Sequence, residues 1–136
     1  MKYTVGMSEE IKSTITEDIV KAFAELSGDF NPIHVDETAA RASQFGKRIA
    51  HGMLVGSLIS AHIGMRFPGE GTIYLEQDMK FIKPVYLGDE IRIVAQIKSI
   101  RNEEKGILEL STIVYNQREE MVVDGYAIVK VPVEEK

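Results

Sequence analysis

Residues 51–67 read HGMLVGSLISAHIGMRF. Between Gly52 and Met65 there is no charged residue and almost no polar face. A helix that is apolar all round is enclosed by its own protein. The wider uncharged run, Ile49 to Met65, has 17 residues and falls near the lower limit for a membrane span, but His51, Ser57, Ser60 and His62 interrupt it. The stretch therefore predicts a buried core helix over 51–66, about 24 Å long. PGEG at 68–71 ends it.

What encloses that helix is legible on either side. Downstream, Ile73, Leu75, Gln77, Met79 and Phe81 alternate with Tyr74, Glu76, Asp78 and Lys80. Ile91, Ile93, Ala95 and Ile97 repeat the pattern, and 107–115 and 120–131 are rich in Ile, Val, Leu and Tyr. Period-two alternation predicts strands. Turn signals at LGDE (87–90), RNEEKG (101–106) and NQRE (116–119) separate them, and such short connections make antiparallel neighbours. Upstream, Thr16 precedes EDIVKAFAEL, a helix start with acidic residues in its first turn. Ile19, Val20, Phe23 and Leu26 fall at helical spacing, and Gly28 suits the stop. DETAARAS from Asp36 predicts a short helix, and a strand near EIKSTIT would complete the sheet. The expected class is α+β: a long antiparallel sheet wrapped around one central helix, as a single domain over 1–136. One sheet on one helix leaves edges open, so a symmetric homodimer or higher homo-oligomer is expected.

Composition narrows the function. A chain of 136 residues with 44% hydrophobic and 27% charged residues suits one globular domain. The absence of cysteine removes disulfides, thiolate metal sites and cysteine nucleophiles. The histidines at 34, 51 and 62 show no metal-ligand spacing on one element, so no metal is expected. A net charge of −5 argues against a nucleic-acid partner. MKYTVGMSEEIKST lacks the apolar run of a signal peptide, which makes the cytoplasm the expected location and a membrane partner unexpected.

The chemistry-bearing residues cluster in SGDFNPIH, residues 27–34. Asp29 and His34 are five positions apart, which places them about 140° apart on a helix and on opposite faces of a strand. Only a turn brings them together. Pro32 fixes its own φ and pushes Asn31 to an extended conformation, while Asn31 can bond the neighbouring backbone. Asn31 and Pro32 thus supply the bend that convergence needs. The plainer reading is a capped turn in which His34 merely lies near the next helix. At His51-Gly52 the free N–H groups of a helix start can hold a developing oxyanion, and glycine permits close approach. Alternatively, Gly52 only permits a tight junction. Gly52, Gly56, Ser60 and Gly64 form a stripe of small residues that fits either a packed strand or an elongated ligand, for which Ser60 offers a hydroxyl. His62 reads as a core or interface histidine. Lys47, Arg48, Arg66, Lys80 and Lys83 are candidates for a phosphate, or simply solvated cations.

LSGDFNPIHVDETAA (26–40), IAHGMLVGSLIS (49–60) and PGEGTIYLEQDMKFIKPVYLGDE (68–90) together resemble the MaoC-like hot-dog proteins, above all the single-domain (R)-specific enoyl-CoA hydratases. The resemblance covers roughly residues 17 to 131. It implies a hot-dog fold, usually dimeric, and catalysis by Asp29 and His34 in the D-x-N-P-x-H loop. Gly52 matches the helix-opening HG, and Ser60 matches the family's serine on that helix. The implied reaction is reversible hydration of a trans-2-enoyl thioester to the (R)-3-hydroxyacyl thioester. The thioester is carried on CoA or possibly on acyl carrier protein, and no cofactor is needed. In that chemistry Asp29 and His34 share a water, Gly52 N–H stabilises the thioester oxygen, Asn31 and Pro32 position the loop, and Gly56 and Ser60 line the acyl path. Other readings are a (3R)-hydroxyacyl-carrier-protein dehydratase, a hot-dog acyl-CoA thioesterase and a non-catalytic acyl-CoA-binding domain.

Overall fold

The Thr16 hydroxyl accepts the Ile19 N–H and opens helix α1 (Glu17–Ser27); Gly28, at φ 81°, closes it in the left-handed conformation that glycine adopts without strain. These caps lie in a computed structural model that describes residues 2–134. Val20 and Ala24, one helical turn apart, are the buried residues of α1. Leu26, expected on the same stripe, is 85% exposed, because Ala24 takes the inward position and turns Leu26 outward.

Before α1 lies strand β1 (Ser8–Thr14); after it come the single turn α2 (Pro32–Val35) and α3 (Glu37–Ala42), the latter capped by the Asp36 carboxylate. Helix α4 (Gly52–Met65) follows, then β2 (Ile73–Phe81), β3 (Glu90–Asn102), β4 (Ile107–Tyr115) and β5 (Met121–Lys130). The strands form one five-stranded antiparallel sheet in the order β1-β3-β4-β5-β2. Ile91, Ile93, Ala95 and Ile97 of β3 are fully buried, as are Leu108, Leu110 and Val114 of β4, so the alternation read from sequence is the core-facing register. Leu54, Val55, Ile59 and Ile63 of α4 pack into the same core. This is the hot-dog arrangement.

Two features depart from the sequence reading. In β2 the register shifts between Tyr74 and Glu76, and the extra residue exchanges the strand's faces. Tyr74 turns toward the core, while Ile73 and Leu75 are left 57% and 52% exposed. Beyond the shift, Gln77 faces inward and donates to the buried Thr112 hydroxyl at 2.9 Å while accepting from the Tyr74 hydroxyl at 2.6 Å. Burial pushes the Tyr74 phenol up to about 12. Helix α4, in turn, is enclosed on one side only. Met53, Ser57, Ser60, Ala61 and Met65 are exposed, because a single protomer offers one sheet to cover one face. No described helix is long and apolar enough to cross a membrane.

Gly125 of β5 pairs with Met79 of β2, and a Cβ there would stand 2.3 Å from the Asp78 carbonyl oxygen. Overpacking of this kind costs typically about 1–3 kcal/mol. Gly125→Ala is expected to lower the urea midpoint correspondingly, and an unchanged midpoint would show that the β2–β5 contact is loose.

Candidate active site

A relay of short side-chain bonds shapes the segment between α1 and α2. The Ser27 hydroxyl accepts the Asp29 N–H at 3.2 Å, Asp29 Oδ1 accepts the Asn31 N–H at 3.1 Å, and Asn31 Oδ1 accepts the Ile33 N–H at 3.4 Å. Each side chain thereby satisfies a backbone N–H two residues further on, the last of them at the N-terminus of α2. Pro32 occupies the first position of α2, where its missing N–H costs nothing. The bend expected at Asn31-Pro32 is therefore a helical turn with Asn31 as its cap, and it carries His34 inward.

The turn is laced to the residues preceding α4. His34 Nδ1 lies 2.7 Å from the Ile49 carbonyl oxygen, and the Ile49 N–H donates to the Ile33 carbonyl at 3.2 Å. A carbonyl only accepts, so Nδ1 bears the hydrogen and the neutral ring leaves a lone pair on Nε2. In the opposite direction, His51 Nε2–H donates to the Asp29 carbonyl at 2.9 Å. The two imidazoles stack, with centroids 3.9 Å apart and planes 26° apart, and Phe23 closes on His51 at 4.9 Å. His34 and His51 are 8% and 2% exposed, whereas Asp29 is open to solvent.

Asp29, His34 and Gly52 line one cavity of about 520 Å³, within the range of small-molecule sites. Ala50, Val55, Val85, Val123 and Phe81 make its apolar walls, and Lys83 stands among its lining residues. His51 makes no side-chain capping bond to α4, so the first N–H groups of that helix, Gly52 foremost, have no partner within it. Phe81 bears on the helix here: a Cβ on Gly52 would meet its ring at 2.8 Å. Asp29, His34 and His51 each offer a ligand atom within 4.8 Å of the others, a set that could approach a cation. Face-to-face rings carry their in-plane lone pairs in nearly parallel planes, whereas two ligands of one ion need lone pairs that converge, so the stack suits a metal poorly.

Gly56 and Ser60 lie outside the cavity walls. The Met79 methyl group stands where a Gly56 Cβ would come within 2.9 Å, and Ser60 faces outward. His62 is buried in the core and donates through Nε2 to the Glu9 carbonyl at 3.0 Å. Arg48, a phosphate candidate by sequence, is buried: Nε donates to the His34 carbonyl at 2.7 Å and Nη1 to Glu17 at 2.9 Å. It supports the turn that carries His34. Neither this role nor the His51 bond to Asp29 has a local sequence signal, since each joins residues distant along the chain.

Residues 4–117 match the model of the MaoC-like domain family. The chain is 40% identical over 128 residues to an (R)-specific enoyl-CoA hydratase of Aeromonas caviae, covering 94% of this chain and 95% of that one. It is 39% identical over 132 residues to a 3-hydroxybutyryl-CoA dehydratase of Methylorubrum extorquens, covering 97% and 83%. Among solved structures it superposes on an unliganded R-hydratase of Pseudomonas aeruginosa with a TM-score of 0.93 at 43% identity, covering 98% of this chain and 84% of that one. The chain belongs to the MaoC-like family.

Removing the Arg48 side chain strands the buried His34 carbonyl, and an unsatisfied buried acceptor costs about 1–3 kcal/mol. Arg48→Ala is expected to lose that much stability in urea unfolding; a loss below about 0.5 kcal/mol would mean that solvent replaces the guanidinium.

Proposed function

We propose that this MaoC-like protein is a hydro-lyase that reversibly adds water to trans-2-enoyl-CoA, giving (R)-3-hydroxyacyl-CoA. The observation that carries the reading is that Asp29, His34 and the opening glycine of α4 line a single cavity whose remaining walls are largely apolar. The relatives named above, matched over nearly the whole chain, support CoA as the carrier.

In this mechanism a water sits between the Asp29 carboxylate and His34. With Nδ1–H committed to the Ile49 carbonyl, His34 presents its bare Nε2 and takes a water proton while the oxygen bonds C3. The C2–C3 π pair shifts toward the thioester, and negative charge grows on the carbonyl oxygen. The Gly52 N–H, at the positive end of α4, receives that charge. The proton taken from water returns to C2, directly or through the Asp29 carboxyl, so the addition balances without an external acid. Asn31 and Pro32 hold the acid and base at their separation. The acyl chain enters the apolar walls; reaching Gly56 along α4 requires Met79 to swing aside, and Ser60 lies on the exposed side of the helix.

The protein acts in the cytoplasm as a homodimer. Exposed apolar side chains gather on and beside edge strand β2 (Ile73, Leu75, Phe81, Ile82) and on the open side of α4 (Met53, Met65), the surface a second copy would cover. Light scattering at working concentration is expected to give twice the chain mass, and the mass of one chain would remove the dimer from this reading.

Asp29→Asn and His34→Ala are each expected to keep the fold and reduce crotonyl-CoA hydration by at least about 10²-fold, the lower end of what positioned acid–base groups supply. Near-wild-type turnover by either folded variant would sink the assignment.

A further inference from the structure

The acid and base of the proposed hydratase have a shared support that the mechanism does not use. His51 is the residue before α4, with its ring 2% exposed. It donates from Nε2 to the Asp29 carbonyl at 2.9 Å and lies face to face with the His34 ring at 3.9 Å. One side chain thus touches the backbone of one member of the pair and the imidazole of the other. Its second nitrogen, Nδ1, is buried with no hydrogen-bond partner. Leaving a buried polar atom unpaired is unfavourable. A glutamine could hold the Asp29 carbonyl without an orphan ring nitrogen, and a phenylalanine could fill the space beside His34 without any orphan. Histidine does both, at the cost of that nitrogen.

We propose that His51 is a positioning residue that fixes the distance between Asp29 and His34, chiefly through its hydrogen bond to the Asp29 carbonyl. Asp29 is exposed and its own side chain bonds only within its loop, to the Asn31 N–H. Without the His51 donor, Asp29 keeps only local bonds, the Ser27 hydroxyl on its N–H and the Asn31 N–H on its carboxylate. His34 stays referenced to Ile49 and Arg48. Asp29 then loses its bond to the segment before α4, to which His34 stays tied through Ile49. A misplacement of about 1 Å in a reacting geometry costs on the order of 10²-fold in rate. The loss belongs to the turnover step, since the bonds and contacts of His51 go to Asp29 and His34 while apolar walls hold the acyl chain.

This inference rests on the hydratase reading, which the wild-type protein tests first. If wild type does not hydrate crotonyl-CoA, that reading fails; if it does, the His51 variants decide the positioning role separately. His51→Phe keeps a ring against His34 and loses the donor. It is expected to lower kcat by on the order of 10²-fold with KM within about twofold. His51→Gln, which places an amide N–H near the position of Nε2, is expected to retain kcat within about threefold of wild type. His51→Asn is too short to reach the carbonyl and is expected to fall with His51→Phe. If the phenylalanine variant fails to fold, judged by circular dichroism, the glutamine and asparagine variants carry the test alone. Equal kcat in those two, a loss confined to KM, or full activity in His51→Phe would each overturn the proposal.

Discussion

Two imidazole-to-carbonyl hydrogen bonds run in opposite directions between the segment around α2 and the start of α4. His34 reaches forward to the Ile49 carbonyl, and His51 reaches back to the Asp29 carbonyl. The rings meet face to face between them. Neither segment is regular enough to place a side chain by secondary structure alone, yet the crossed bonds give each a fixed partner in the other. They also set the tautomer of His34, so a packing constraint becomes a chemical one: the nitrogen left free is the one that can take a proton.

The sheet and α4 make this crossing possible. Ile91, Ile93, Ala95, Ile97 and their neighbours on β4 form the apolar floor on which Leu54, Val55, Ile59 and Ile63 rest. That packing fixes the helix axis, and the axis fixes where its unsatisfied N–H groups point. Strand β2 closes the same region from its edge, setting Phe81 over Gly52 and Met79 over Gly56. The glycines let β2 approach the helix closely, and the small-residue stripe serves that approach as much as any ligand. The cavity beside Gly52 is bounded by apolar side chains, with the acid and imidazoles near Gly52, a division that suits a ligand with a reactive polar head and an apolar tail.

Much of this was legible in the sequence, and the pattern of success follows the range of each interaction. Thr16, Gly28 and Asp36 cap helices through bonds to residues a few positions away, so their spacing announces them. The inward faces of β3 and β4 follow from unbroken alternation. Asn31-Pro32 advertised a bend, although it makes a helical turn rather than an open loop. The misses are long-range or aperiodic. A register shift in β2 leaves no trace in an alternating sequence, and so Ile73 and Leu75 were read on the wrong face. Leu26 fits the α1 stripe by spacing, but Ala24 is the residue that is buried there. Arg48 looked like a free cation and is instead buried on the His34 carbonyl. The small residues of α4 were visible as a stripe; which part of it faces the cavity depends on β2, which no local pattern specifies.

A cavity lined by an acid and an imidazole is compatible with attack of water on an enoyl carbon or on a thioester carbonyl, and the two outcomes leave different products. The most direct measurement is incubation of the protein with crotonyl-CoA, following the enoyl absorbance, free thiol and product chirality together. Loss of the enoyl absorbance with no thiol released, and (R)-3-hydroxybutyryl-CoA as the product, is the expected result. Release of free CoA, an (S) product, or no consumption of crotonyl-CoA would contradict the hydratase assignment.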